Sequence, residues 1–407
     1  MKLTFVSNYM NHHQMPFCDA CYRALGEDFH FIQVMPMADD RKKLGWDPGT
    51  ENLPYIMFLY RDEERCRRML AESDVVFLGW MGDEYDSLAE EILLPSLEKG
   101  RPVFRYSERI YKSGQWKFIS PRGLAAKKRQ HVRYSDAPVY LLCSGAYVAS
   151  DFSLIHAYSG KMYRWGYFPP FRSYEKEVPQ KDDGELTLVW AGRFIPWKHP
   201  EYAVRLAETL KGRDLDFRLT MIGDGRLRRE LAAEAAKKGL GEQVVFTGAL
   251  DPDGVRAVME KSDIFLFTSN YLEGWGAVVN EAMNSRMAVV ASDEAGCVPW
   301  LIENGKTGIS FSGCDYRQFE RAALALSENT QEARACRKKL GEEAFNRIKD
   351  LWNADTAAER FLAACRQALS GEVPSYAEDD GPMSRAEIRK PSGLMRTLKE
   401  NRLAEGL

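Results

Sequence analysis

Two carboxylates, Glu273 and Glu281, lie in the stretch NYLEGWGAVVNEAM (270–283), separated by seven residues. Glu273 precedes a Gly-Trp-Gly turn, and Glu281 falls further along the apolar run that follows. An ionised carboxylate accepts two hydrogen bonds at once, which suits the vicinal hydroxyls of a ribose or a hexose. Each such bond is worth about 1.5–3 kcal/mol, enough to decide which sugar isomer sits correctly. Glu273, on the loop, is placed to hold a transferred sugar, and Glu281, on the helix, a ribose. Gly274 and Gly276 let the backbone approach a ligand, while the first turn of the helix offers unpaired N–H groups at the positive end of its dipole. That combination suits a phosphate or a sugar hydroxyl. Taken singly, Glu273 could merely complement the dipole, and Glu281 could be a surface helical residue.

Such a loop must be carried by a strand before it and a helix after it, here DIFLFTS (263–269) and AVVNEAMNS (277–285). The second half of the chain repeats this alternation: LTLVWAG (186–192), FRLTMIG (217–223), QVVFTG (243–248), MAVVAS (287–292) and TGISF (307–311) are further strand candidates, with helical stretches between them. Strand and helix alternating six times imply a parallel, doubly wound sheet, whose strands are nearly all apolar because both faces are covered. The first half shows the same pattern in LTFVSN, DFHFIQV, DVVFLGW, PVFRYS and VYLLCSG. Residues 172–185 are charged, contain Pro and Gly, and read as a linker. The expected architecture is therefore α/β, with two Rossmann-like doubly wound domains, 1–171 and 186–352, facing a central cleft where a ligand binds. An amphipathic helix at 353–369 is expected to pack back on the first domain. The charged tail, 370–407, is expected to be partly disordered with a short terminal helix, whose basic amphipathic character leaves a membrane or partner contact open.

A chain of 407 residues exceeds what one core supports, and 45% apolar with 28% charged residues is an ordinary globular composition. No apolar run reaches the roughly 18 residues of a membrane span, and the start turns polar after six residues, so a mature cytoplasmic protein is expected. A formal charge of −3 gives no general reason to bind nucleic acid. Of the eight cysteines, Cys18 and Cys21 form a CxxC pair without a second pair to complete a zinc site. They read as small apolar fillers on the first helix, and reduced thiols fit the same compartment. Asp39-Asp40 and Asp182-Asp183 read as solvated acids; no metal site is expected.

The E-x7-E arrangement resembles the signature of retaining nucleotide-sugar glycosyltransferases with the GT-B fold, specifically family 4, the glycosyl transferases group 1. VWAGRFIPWKHPEYAVRLAETL (189–210) resembles the segment in which that family carries an Arg and a Lys for the donor diphosphate, here Arg193 and Lys198, after Gly192. LTMIGDGRLRRELAAEAAKKGLGEQVVFTGAL (219–250) is similar to the next strand, loop, helix and strand, putting Gly223, Asp224, Gly225 and Gly248 at equivalent places. Trp275 stands where the family more often has Phe. One departure is AGCVPWLIENG (295–305), where Cys297 and Trp300 replace the second Gly and the acid of a Gly-Gly-x-x-Glu motif. The resemblance implies transfer of a hexose from a nucleoside diphosphate sugar, most commonly a UDP-sugar, to a saccharide or lipid-linked acceptor hydroxyl with retention of configuration. It implies no cofactor, since a cationic pair and helix amides can neutralise the departing diphosphate without a metal. It also implies front-face attack, domain closure against water, and a place in capsule, exopolysaccharide or lipopolysaccharide assembly. Two other readings stay open: a nucleotide-sugar epimerase on the same fold, and a catalytically silent partner in a polysaccharide assembly complex.

The first domain usually supplies the acceptor side in this fold class. Its first loop, SNYMNHHQMPF (7–17), crowds Asn8, Asn11, His12, His13 and Gln14 at the start of a helix. The segment is similar to an NHHQ-PF stretch of bacterial surface-polysaccharide glycosyltransferases, which implies one of the two histidines near the donor phosphates or the acceptor hydroxyl. Capping and packing is the alternative. PVFRYSERIYKSGQWKF places Arg105, Glu108 and Arg109 at the end of another strand. Glu108 would bind or deprotonate the acceptor, or else pair with Arg105 or Arg109. Residues 101–133 hold ten Lys or Arg and one acid, Glu108, which either draws the chain to an anionic membrane surface, peripheral on its inner face, or is a solvated basic face.

Overall fold

Continuous β-branched and aromatic runs become strands wherever both of their faces are covered, and in this computed structural model they assemble two parallel sheets. The structure describes residues 1–38, 49–81, 86–115, 117, 120–174, 184–313, 315–377 and 380–391. The acidic pairs at 39–40 and 182–183, most of the expected linker and the expected terminal helix lie outside the described residues. The chain divides into two compact units, Met1–Pro170 with Trp352–Leu407, and Phe171–Leu351.

In the first unit, β1 (Leu3–Ser7), β2 (Phe29–Gln33), β3 (Ile56–Phe58), β4 (Val75–Leu78), β5 (Val103–Ser107), β6 (Val139–Ser144) and β7 (Met162–Trp165) line up as β3-β2-β1-β4-β5-β6-β7, every described pairing parallel. The register sets Phe5 opposite Phe31 on one side and Phe77 on the other, and the Phe5 and Phe77 rings stack at 4.2 Å. Sequence reading missed β3 and β7, which are three and four residues long. The helix Ala354–Leu369, capped by the Asn353 side chain, belongs to this unit and lies against the helix Met15–Leu25. Phe361 inserts among Phe17, Phe77, Phe104 and Trp165, at 5.0–5.7 Å between ring centroids. Cys18 and Cys21 are fully buried and burial pushes both thiols upward, as expected of core fillers.

The described part of the charged tail, which was expected to be partly disordered, is packed. Arg385 bridges antiparallel to Tyr163, Arg164 exchanges backbone hydrogen bonds with Met383 and Ser384, and the Arg164 guanidinium pairs with Asp380 and Glu387. An edge strand presents unpaired backbone groups, and this segment covers part of the edge of β7.

In the second unit, β8 (Leu186–Ala191), β9 (Phe217–Ile222), β10 (Val244–Gly248), β11 (Ile264–Phe267), β12 (Ala288–Ser292) and β13 (Ile309–Phe311) order as β10-β9-β8-β11-β12-β13, again with every described pairing parallel. Trp190, Phe194, Leu219, Leu266, Val290 and Phe319 lie in one apolar core. Order reverses between β8 and β11, so the loops that follow these two neighbouring strands leave at the switch point where doubly wound sheets bind ligands. The first linker residues pack in the same unit near the ends of the helices that lead into β11 and β12: the Arg172 N–H donates to Asn284 Oδ1 at 2.9 Å, and the Tyr174 hydroxyl donates to Glu260 at 2.6 Å. No described helix is long and apolar enough to cross a membrane.

Candidate active site

The loop after β8 and the loop after β11 are stitched together in the second unit. The Trp190 indole N–H donates to Thr268 Oγ1 at 2.9 Å, and the Thr268 hydroxyl donates to the Lys198 carbonyl at 2.6 Å. The Asn270 N–H donates to the Trp197 carbonyl, while Asn270 Oδ1 and its carbonyl accept the N–H groups of Leu272 and Glu273. These bonds fix the backbone on which Lys198 and Glu273 stand. The Lys198 ammonium and the Glu273 carboxylate form an ion pair, with 14% and 17% of the two side chains exposed. Arg193 is exposed on the same loop, its guanidinium 5.6 Å from the Trp197 ring centre. Thr268 and Asn270 were not singled out from the sequence; the Thr-Ser-Asn run at the end of β11 was the available signal.

The neighbouring loops show why glycine is required. Gly223 has φ +127°, and a Cβ there would stand 2.0 Å from the Gly192 carbonyl oxygen. The close approach lets the Gly192 N–H donate to Ile222 and the Phe194 N–H to Asp224. Gly223 in turn donates to the Gly248 carbonyl at 2.8 Å, so the ends of β8, β9 and β10 are held in a row. Asp224 is exposed there.

Gly276 caps the helix Ala277–Asn284 in a left-handed conformation, φ +98°, where a Cβ would meet Phe267 at 2.7 Å. The helix start therefore carries no side-chain cap, and its first N–H groups remain at a positive dipole end beside Glu273. Trp275 is buried, and its indole N–H donates to Asn280 at 2.8 Å, which makes it the plug beneath the loop. The segment after β12 closes the other side. The Gly296 and Cys297 N–H groups donate to the Gly274 and Trp275 carbonyls, and Trp300, buried at the place of the family acid, lies 6.1 Å from the Trp275 ring. Glu281 is buried on the same helix, which removes the surface reading; burial pushes its carboxyl up to about 7 against the opposing pull of Arg256 and Arg172.

In the first unit, the acceptor-side candidates fare differently. Asn8 is buried at the end of β1, its carbonyl accepting the Val34 and Met35 N–H groups. Asn11 Oδ1 accepts the N–H groups of His13 and Gln14 and so shapes the turn. The rings of His12 and His13 lie 3.7 Å apart, and His13 stacks nearly parallel on Tyr167 at 5.7 Å. Desolvation lowers both imidazoles, His12 to about 4 and His13 well below its usual range. Glu108 pairs with Lys112 and accepts the Tyr167 hydroxyl at 2.6 Å, so neither Arg105 nor Arg109 is its partner. Arg105 turns inward to the Gln130 carbonyl and the Tyr158 hydroxyl. Arg109 forms a buried pair with Asp151, 6% and 0% exposed. Both guanidiniums are thus engaged within the fold. Tyr167, which touches both His13 and Glu108, was missed because its partners are distant in sequence.

Residues 171–346 match the family model described as Glycosyl transferases group 1. Among curated proteins, an uncharacterized glycosyltransferase of Methanocaldococcus jannaschii is 28% identical over 191 residues, 46% of either chain. The 2-deoxystreptamine glucosyltransferase of Streptomyces kanamyceticus is 34% identical over 114 residues, 28% of this chain and 29% of that one. A GDP-mannose-dependent alpha-(1-6)-phosphatidylinositol monomannoside mannosyltransferase of Mycolicibacterium smegmatis is 28% identical over 190 residues, 45% of this chain and 47% of that one. The chain thus spans less than half the length of these relatives. Among solved structures, Anabaena HepE in complex with UDP superposes with a TM-score of 0.67 at 15% identity, covering 91% of this chain and 100% of that one. A sucrose-phosphate synthase of Thermosynechococcus elongatus gives 0.63 at 14% identity, covering 91% and 99%. These likenesses show a shared fold of two parallel-sheet, Rossmann-like units. The match to the glycosyl transferases group 1 family thus lies in the second unit, the one that holds the Lys198–Glu273 pair.

Proposed function

We propose that the protein transfers a sugar, a hexose, from a nucleoside diphosphate sugar to an acceptor hydroxyl with retention of configuration. The observation that carries the reading is the ion pair of Lys198 and Glu273 beside the uncapped start of the helix Ala277–Asn284. It joins a cation for phosphate, an acid for sugar hydroxyls and a helix amino-terminus without a side-chain cap on two loops at the sheet's switch point. The UDP bound in structures of similar fold supports a uridine donor.

In this reading Arg193, Lys198 and the helix amides hold the diphosphate and stabilise the negative charge that grows on it. Glu273 orients the sugar and Glu281 the ribose. The bond from the anomeric carbon to the phosphate oxygen breaks, its electron pair leaving with the nucleoside diphosphate. The acceptor oxygen bonds to the same carbon from the same face, and its proton passes to the departing phosphate oxygen. His13 and Glu108 serve the acceptor side, a saccharide or a lipid-linked saccharide, in assembly of a surface polysaccharide. Neutralisation by protein cations makes the reaction independent of a metal ion.

Thermal stabilisation by UDP, GDP, ADP and dTDP sugars tests the reading first. A ligand at 100 times its dissociation constant adds about 2.7 kcal/mol. Absence of a shift with all four would overturn it. A changed sugar nucleotide formed without acceptor would instead identify an epimerase.

A further inference from the structure

The first sheet also reverses its order, between β1 and β4, so the first unit has a switch point of its own. A recess of about 290 Å³, built wholly from this unit, lies there. It is lined by residues that follow β1 and β7 and by Tyr106 near the end of β5, hence on the carboxyl side of the strands. Its volume falls just under the roughly 300–1,000 Å³ of whole small-molecule sites, so it suits one substituent of a larger ligand.

Floor and rim of the recess differ in chemistry. Phe5, Phe17, Phe77, Trp165 and Phe168, each at most 3% exposed, make an aromatic floor. His13, Gln14, Tyr106 and Tyr167 are half-buried and make the rim. Burial lowers the His13 imidazole and raises both tyrosines, so these rim side chains are neutral near pH 7. The Gln14 amide donates one N–H to Ser7 Oγ at 3.4 Å and accepts from Asn11 at 3.2 Å. Among the described residues that leaves it one further donor and one further lone pair. A hydroxyl on such a floor would lose its hydrogen bonds, and an ammonium or carboxylate would be stripped of water without a counter-charge. An acetamido group answers both parts, its methyl meeting the aromatics and its N–H and C=O meeting the Gln14 amide. Tyr167 ties the recess to the acceptor side, since its ring stacks on His13 and its hydroxyl donates to Glu108 at 2.6 Å.

We infer that this recess receives the acetamido group of an N-acetylated acceptor sugar. The inference rests on reading the first unit as the acceptor side, and it narrows the acceptor to one chemical class. Methyl glycosides of the gluco, galacto and manno series, each with a hydroxyl, a free amine or an acetamido group at carbon 2, are to be titrated against the full chain by saturation-transfer NMR, without donor and with 6-deoxy hexosides alongside. In at least one series the acetamido sugar should bind roughly tenfold tighter than its two counterparts, the usual effect of one methyl-sized group in an apolar pocket. Its acetyl methyl should receive the strongest saturation. Phe168→Leu enlarges the floor and should favour the propanoyl over the acetyl amide by about fourfold, the worth of one buried methylene. Gln14→Met, on the rim, should weaken the acetamido sugar about fivefold through the lost hydrogen bonds, with unchanged circular dichroism. Equal binding of the three derivatives in every series, binding of none, tighter binding of the 6-deoxy sugars, or a preference untouched by both variants would overturn the inference. Transfer to plain hexosides as fast as to acetamido sugars would overturn it and leave the transferase reading standing. Failure of every nucleotide sugar to bind would overturn that reading alone, because the acetamido preference is measured without donor.

Discussion

Lys198, on the turn after β8, and Glu273, on the loop after β11, meet as an ion pair 75 residues apart in sequence. The adjacency of β8 and β11 brings them together, and the bond from Thr268 to the Lys198 carbonyl keeps the two loops in step.

Removing one partner deprives the other, mostly buried, of this ion pair. Lys198→Ala should lower unfolding free energy by about 2 kcal/mol and weaken nucleoside diphosphate binding at least tenfold. Glu273→Gln should keep nucleoside diphosphate binding within about threefold and reduce turnover by about a hundredfold. Calorimetric titration beside steady-state rates separates the two effects.

Burial holds the Glu281 carboxyl near 7, against 4.5 for an ordinary glutamate. Between these values the folded state keeps a proton that the unfolded chain has lost, so stability falls as pH rises from about 4.5 to 7, by about 3 kcal/mol in all. Ribose binding requires the ionised form and should strengthen over the upper part of that window. Glu281→Gln should flatten both profiles, measured by urea unfolding and by nucleotide titration.

Gly223→Ala puts a methyl 2.0 Å from the Gly192 carbonyl oxygen at a positive φ. Loss of about 3 kcal/mol or more is expected, with a correspondingly lower melting temperature. Nucleotide affinity should fall with it, since the loop after β8 must move to admit the methyl.

Asp151 accepts the Arg109 guanidinium, the Tyr111 N–H and the Gln115 amide in a fully buried position. Asp151→Ala should destabilise the protein by about 3–5 kcal/mol, because it strands a buried cation. Donor titration at a temperature where the variant is folded should give the wild-type dissociation constant.

The six strands of the second unit were legible because each is a short apolar run ending near Gly or Ser, with helical periodicity between runs. β3 and β7 were not, being short strands whose pairing comes from their neighbours. Glu273, Lys198 and Gly276 were legible as types at a spacing; the pairing of the first two was not, since it depends on strand order. Arg105 and Arg109 were misleading, because a strand end looks the same whether its charges face solvent or find Asp151 and Gln130 inside. Tyr167 gave no local signal at all, as its hydroxyl partner lies 59 residues away.

The helix Ala354–Leu369 has a consequence for biosynthesis. Phe361 completes an aromatic cluster whose other members, Phe17, Phe77, Phe104 and Trp165, leave the ribosome long before it. The second unit is contiguous and can close during translation, whereas the first must wait with an open apolar flank until the helix Ala354–Leu369 emerges. Chains truncated before residue 352 should therefore aggregate through their amino-terminal half.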